Sequence, residues 1–364
     1  MKVLFLADIN SSHTRKWVRG LISKGVEVEV FSMSFPRVDW YSELDCKCTF
    51  FGVNPEVQSK SGLLDKLSYL KAVNVVRKVI KASKADVIHA HYATSYGMLA
   101  ALFRPTNLVV SVWGSDVQEF PYTSKLHKRI LAYVFKRSKI ICSTSEAMVN
   151  DVKYVVPGIK TKVIPFGIEL DEFFVKQHID KDKITFGTIK TLEKIYGVDV
   201  LIDSFNSFIK KTSRDDTLLI IGDGSERKNL EEKVSHLGLN DRVTFLGRIN
   251  QTDVPKKVHN LDVYVSLSRR ESFGVAVLEA SASGIPVISS EASGFKEVVE
   301  QDVTGFRVAL ENVDQIVDRM VLLTDYRLRT SMGLAGRNLV EERYDFERNL
   351  EDQILIYKNL IQKK

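Results

Sequence analysis

Two glutamates, Glu271 and Glu279, enclose the segment Ser272-Phe273-Gly274-Val275-Ala276-Val277-Leu278, and Gly274 falls where a helix is expected to begin. A glycine there lets backbone N–H groups approach an anion, and the positive end of the helix dipole helps to hold it. Glu279 comes about a turn further in. A carboxylate accepts two hydroxyl hydrogen bonds at once, which suits a vicinal diol such as ribose. On spacing alone the blander reading is the stronger one: two solvent-facing glutamates flanking an amphipathic helix.

The elements around this segment narrow the choice. Short β-rich runs alternate with helical patterns along the whole chain, the pattern of parallel sheets with crossover helices. In the first half strands are expected at Val3–Leu6, Val28–Phe31, Val87-Ile88, Leu108–Val112 and Ile140–Cys142, with a further one at Phe50-Phe51. Helical stretches near 13–24, 63–83, 93–103 and 124–137 fit between them. The segment Val163-Ile164-Pro165-Phe166-Gly167-Ile168-Glu169 reads as a crossing between domains, and a polar loop follows it. Strands then recur at Thr185–Thr188, Leu218–Ile221, Val243–Leu246, Val263–Val265 and Val287-Ile288, with helices near 195–211, 225–237, 253–259, 274–283 and 313–324 and a long one at the C-terminus. The fold class is α/β. The domains are 1–165, 166–345, and a C-terminal helix over 346–364 expected to pack back on the first domain. Two doubly wound domains in succession place a ligand crevice between them, at the carboxyl ends of both sets of strands. The first strand leads into Asp8-Ile9-Asn10-Ser11-Ser12-His13 with no G-x-G-x-x-G, which disfavours a lone dinucleotide-binding dehydrogenase.

Composition bounds the rest. The 364 residues are 44% hydrophobic and 27% charged, as in a globular protein of two ordinary domains. No run approaches the roughly 18 apolar residues that span a bilayer, and MKVLFLADIN reads as a buried first strand rather than a leader. Cys46, Cys48 and Cys142 suggest neither a disulfide framework nor a zinc site, so the location expected is cytoplasmic. The net charge of +6 conceals an asymmetry: residues 1–165 hold 24 basic against 13 acidic residues, the remainder 28 against 33. Lys125, Lys128, Arg129, Lys136, Arg137 and Lys139, interleaved with Leu126, Ile130, Leu131, Tyr133, Val134 and Phe135, describe either an amphipathic helix facing anionic lipid headgroups or a solvated face over a core. No nucleic-acid motif accompanies the charge.

Glu-x7-Glu with Phe-Gly inside it, followed by Gly284-Ile285-Pro286-Val287-Ile288, closely resembles the signature of the family 4 retaining glycosyltransferases. Further matches come in that family's order: Asp86–His91, Ile164–Ile168, Gly222-Asp223-Gly224 with Glu226 and Arg227, Val243–Leu246 with Gly247-Arg248, then Glu297 and Gly305-Phe306. The resemblance covers nearly the entire chain and implies the GT-B fold, two Rossmann-like domains facing a central cleft. It also implies roles. Glu279 would bind the nucleotide ribose, Glu271 would lie near the donor sugar and leaving group, and Phe273, Gly274 and Val275 would line sugar and phosphate. Lys190 and Lys194 would meet the charge of the diphosphate, Gly222 would form a turn beside it, and Arg248 and Ile249 would contact the base. The family usually has arginine where this chain has Lys190, so the charge is kept but the guanidinium's fixed fork is lost.

Two departures fall on the acceptor side. Many relatives have His-Gly-x-Asp where this chain reads Trp113-Gly114-Ser115-Asp116, and the first loop has Ser11-Ser12-His13-Thr14 in place of a Gly-Gly pair. Trp113 cannot act as acid or base; it is either a platform for a sugar face or a packed core ring. His13 and Asp116 are the remaining acceptor-side candidates, and His89 is expected to pack at a strand end. The resemblance thus implies a retaining, metal-independent hexosyl transfer with no cofactor, from a UDP- or GDP-sugar to a hydroxyl. A basic first domain with Trp17, Trp40 and Tyr41 exposed fits a lipid-linked saccharide acceptor at the inner face of the cell membrane, in cell-surface polysaccharide or glycan assembly. The competing readings are a nucleotide-sugar epimerase of the same fold and a non-catalytic nucleotide-sugar sensor. Asp215-Asp216 reads as a loop pair and not as a metal site.

Overall fold

The apolar runs of the first half become parallel strands. In the structure, a computed structural model that describes residues 1–52 and 72–362, these are β1 (Lys2–Leu6), β2 (Glu27–Ser32), β3 (Cys46–Phe50), β4 (Val87–His91), β5 (Leu108–Val112), β6 (Ile140–Ser143) and β7 (Thr161–Val163). They pair in the order β3-β2-β1-β4-β5-β6-β7, all parallel. Every residue of β4 and β5 is buried, because a parallel sheet is covered on both faces and its central strands carry no polar side. β3 lies at the sheet edge and is only partly buried. The helix expected over 63–83 is described from Val73 to Ser83, and its earlier part lies outside the described residues.

The second half repeats the plan with β8 (Thr185–Ile189), β9 (Thr217–Ile221), β10 (Val243–Gly247), β11 (Val263–Ser266), β12 (Val287–Ser290) and β13 (Gly305–Val308). The order is β10-β9-β8-β11-β12-β13, again parallel throughout. Each sheet reverses its winding once, between β1 and β4 in the first and between β8 and β11 in the second. Such a reversal opens a ligand crevice at the carboxyl ends of the two diverging strands. The chain forms two compact units, Met1–Phe166 with the chain from Glu347 onward, and Gly167–Phe346. Each has its own apolar core. The last helix, Phe346–Gln362, contributes Tyr357 to the first unit, where its hydroxyl lies 2.6 Å from His89 Nδ1.

Local details settle several expectations. Trp17 is buried, on the inner face of the Ser12–Ser23 helix with Thr14, Val18 and Leu21, and is not an exposed aromatic. Trp40 and Tyr41 are partly buried, and the Trp40 indole donates to the Ile9 carbonyl at 2.9 Å. Asp216 is fully buried and accepts from the Ile184 amide at 2.8 Å and from Arg214 Nε at 2.6 Å, while Asp215 pairs with Lys183 and Arg242. The two aspartates therefore staple strand entries. All three cysteines are free thiols. Among the described residues no helix is long and apolar enough to cross a membrane.

Candidate active site

The carboxyl end of β8 passes directly into Lys190, and that of β11 into the loop carrying Glu271. Tyr264 in β11 donates its hydroxyl to the Ile189 carbonyl at 3.1 Å, which fixes the end of one strand against the other. Lys190 Nζ then lies 2.5 Å from Glu271 Oε2, with both side chains largely buried. The hydroxyl of Ser268 also reaches Glu271 Oε2, at 3.4 Å. The glutamate is thus not a solvent-facing flank of a helix. A largely desolvated ion pair of this kind is costly to break by removing one partner.

Gly274 begins the helix Val275–Ala282 with a φ of 105°, a backbone shape that strongly favours glycine. A Cβ there would come within 3.0 Å of the Phe295 ring, which would have to shift slightly to admit it. Its neighbours Phe273, buried, and Val275, partly buried, hold the helix start in place beside Glu271. Glu279 is buried within the same helix, and its Oε1 accepts from Gln251 Nε2 at 3.2 Å. No motif in the sequence marks Gln251, which lies two residues beyond Ile249. Arg248 is exposed and Ile249 partly buried, just beyond the end of β10.

The loop from Lys190 to Lys194 is fastened to the turn after β9. The Lys190 amide donates to the Ile221 carbonyl at 2.9 Å and the Glu226 amide to the Leu192 carbonyl at 2.9 Å. Glu193 accepts from the Ser225 amide and hydroxyl at 3.0 and 2.5 Å. Gly222 packs so closely that a Cβ would meet the Lys190 carbonyl oxygen at 1.8 Å. Lys194 is exposed. This end of the sheet therefore assembles Lys190, Glu271 and a helix start, with a second carboxylate further in and the exposed Lys194 four residues beyond Lys190 in the same loop. Chemically it can bind an anion and a diol side by side.

The acceptor-side candidates converge at the carboxyl ends of β1, β4 and β5 in the first unit. His13 stacks on Phe166 with ring centroids 3.8 Å apart and meets Trp113 edge-on at 5.7 Å. His91 lies 4.7 Å from the Trp113 ring. Burial among these rings, with help from the Lys16 charge, pushes His13 down to about 3. Burial also lowers His89 to about 3 and holds His91 well below its ordinary value, so the cluster is neutral at pH 7. Asp116 is buried, and its carboxylate accepts from the backbone amides of Ala93, Trp113 and Gly114 at 2.9, 3.1 and 3.0 Å. Those amides engage both of its oxygens, which makes it the anchor of the Trp113 loop. Burial raises its pKa against the pull of these amides.

Two doubly wound parallel-sheet units of this kind define an α/β architecture, and comparison with known proteins gives its family. Residues 170–339 match the family model described as glycosyl transferases group 1, and residues 2–145 that described as glycosyl transferase 4-like. The chain belongs to the family 4 glycosyltransferases and has their GT-B fold. It is 24% identical over 307 residues to N-acetyl-alpha-D-glucosaminyl L-malate synthase of Bacillus anthracis, covering 80% of this chain and 79% of the relative. It is 25% identical over 333 residues to UDP-Gal:alpha-D-GlcNAc-diphosphoundecaprenol alpha-1,3-galactosyltransferase of Escherichia coli, covering 81% of each. Among solved structures, sucrose-phosphate synthase of Thermosynechococcus elongatus superposes over 100% of both chains with a TM-score of 0.84 at 18% identity.

Proposed function

We propose that this glycosyltransferase moves a hexosyl group from a UDP- or GDP-sugar to an acceptor hydroxyl, with retention of anomeric configuration and without a metal ion. The observation that carries the reading is the Lys190–Glu271 pair beside the Gly274 helix start, with Glu279 further along the same helix. Lys190, Lys194 and the helix dipole supply positive charge for a departing diphosphate. Glu279 accepts from the ribose hydroxyls, exchanging its contact with Gln251. In the reaction the anomeric carbon–oxygen bond to the diphosphate breaks and a bond to the acceptor oxygen forms on the same face. The acceptor proton passes to the departing phosphate oxygen. His13 and Trp113 face the acceptor as neutral groups, so they orient it and do not take its proton.

A lipid-linked saccharide is the acceptor class we favour, in cell-surface polysaccharide or glycan assembly at the inner membrane face. The Escherichia coli relative is named for an acceptor carrying diphosphoundecaprenol. In this chain the helix Lys125–Arg137 exposes Leu126 beside Lys125 and Arg129, and Tyr122 and Tyr154 are exposed next to it. The two tyrosine rings stack at 5.0 Å, and Lys128 Nζ lies 3.5 Å over the Tyr154 ring. Exposed aromatic rings among lysines suit an anionic headgroup layer.

The deciding experiment incubates purified protein with a panel of UDP- and GDP-sugars and polyprenyl-diphosphate saccharides, and reads the product's anomeric configuration by NMR. An α-linked product from an α-configured donor is expected. An inverted product, or epimerised donor without transfer, would overturn the reading.

A further inference from the structure

We propose that Tyr196 positions Lys190, its ring and the Glu271 carboxylate together holding the ammonium where the donor diphosphate is met. The inference rests on the donor reading given above. A lysine ammonium is a compact charge on a flexible four-carbon stem and lacks the planar fork that orients an arginine. Charge stabilisation of a leaving group is effective when the charge is already in place, so a lysine in this role needs its surroundings to fix it. Two groups do so. Glu271 Oε2 lies 2.5 Å from Nζ, and the centroid of the Tyr196 ring lies 4.6 Å from it. The carboxylate alone would cancel the charge it holds. The ring attracts the cation through its quadrupole and leaves the net charge unchanged.

The turn that carries Tyr196 is held by the loop that supplies Glu271. Tyr196 ends the short turn Lys194–Tyr196, and its amide donates to the Glu193 carbonyl at 2.9 Å. The Arg269 amide donates to the Ile195 carbonyl at 2.7 Å, and Arg269 Nη1 to the Lys194 carbonyl at 2.5 Å. The same guanidinium grips both oxygens of Asp199, at 3.0 and 2.8 Å. Next in the chain, Gly197 has a φ of 65° and presses against the residue that follows β11, where a Cβ would lie 1.9 Å from the Leu267 carbonyl oxygen. Tyr196 and Glu271 thus arrive on two loops bonded to one another and close on Lys190 from both.

The test compares Tyr196→Leu and Tyr196→Phe in the full chain by two readouts. The first is the acetylation rate of Lys190, followed by mass spectrometry, which requires no nucleotide. The second is the Kd for UDP and GDP beside that for uridine and guanosine. Tyr196→Leu is expected to raise the Lys190 acetylation rate about threefold and to weaken the diphosphates about three- to tenfold, the scale of one cation–π contact. The nucleosides should bind as before, Tyr196→Phe should behave as wild type, and the Leu effect should vanish in a Lys190→Ala background. Unchanged labelling overturns the proposal. So does an equal loss for the nucleosides or a loss that persists without Lys190. If wild type binds neither diphosphate, the donor reading fails and with it the diphosphate role, while the labelling result still decides whether the ring holds the ammonium.

Discussion

Lys190 and Glu271 are 81 positions apart in the chain and 2.5 Å apart in space. The contact joins the end of β8 to the loop after β11, across the point where the second sheet reverses its winding. Opposite charges held this closely in a partly desolvated place stabilise each other, and removing one strands the other.

Lys190→Ala and Glu271→Gln are therefore expected to lower kcat/KM for transfer by about 10²–10³, the usual loss when a preorganised charge partner is removed. Lys190→Arg keeps the charge and should retain most of the activity. Circular dichroism would verify folding in each case. Full activity in Glu271→Gln would remove that residue from the mechanism.

Gly197→Ala would add a methyl group into the Leu267 carbonyl at a left-handed backbone position. The conformation alone costs about 1–2 kcal/mol for a residue with a Cβ, and the clash adds to it. Denaturant titration of the second unit should show a loss of about 2 kcal/mol or more. A smaller change would mean that the turn relaxes freely, and that Tyr196 is held less firmly than its bonds indicate.

The buried histidines of the first unit predict acid sensitivity. His13 and His89 are lowered to about 3, so they are neutral in the folded chain while an unfolded chain protonates them near 6.5. Their contribution is fully present above about 6.5 and is lost as pH falls from there toward about 3. The loss approaches about 1.4 kcal/mol per pH unit for a histidine kept fully neutral. His91 follows the same sign, and among the described residues its Nδ1 has no partner. His91→Leu should flatten the stability profile between pH 6.5 and 5, and an unchanged slope would argue that the ring charges without unfolding.

If charge from lysines and a helix start suffices for the leaving group, transfer should survive chelation. Activity measured after EDTA treatment and desalting is expected within about twofold of the untreated enzyme, a change on the order of 0.4 kcal/mol in barrier. Recovery only on adding magnesium or manganese would reverse this expectation.

For the membrane surface, co-sedimentation with vesicles of phosphatidylglycerol is the direct measurement. Binding should fall as salt rises, and the triple change Lys125→Glu, Lys128→Glu, Arg129→Glu should abolish most of it while transfer to a short soluble acceptor continues. Equal binding to neutral and anionic vesicles would count against an electrostatic contact.

The central strands and the helices between them were legible in the sequence because buried parallel strands are continuous apolar runs. The edge strands β3 and β13 lack such runs. Cys46–Phe50 mixes thiols with an exposed lysine, and Gly305-Phe306 reads as a motif before it reads as a strand. Trp17 reads as an exposed aromatic from composition, whereas its spacing with Thr14, Val18 and Leu21 marks a buried helix face. The places of Glu271 after β11 and of Glu279 in the helix behind Gly274 were legible through their neighbours. Tyr196, Arg269 and Gln251 were not, since each acts across loops whose approach depends on strand order, which no local pattern encodes.

The hydrogen bond between Tyr357 and His89 sets an order of assembly. A ribosome delivers the first unit's strands early, yet the helix that covers His89 emerges only after the whole of the second unit. The first unit must therefore wait, with that face of its sheet uncovered, until the second unit has been synthesised and is free to fold. The unit begun first is completed only after the second has been made, so loss of the helix Phe346–Gln362 should damage the first unit more than the second, which it directly follows.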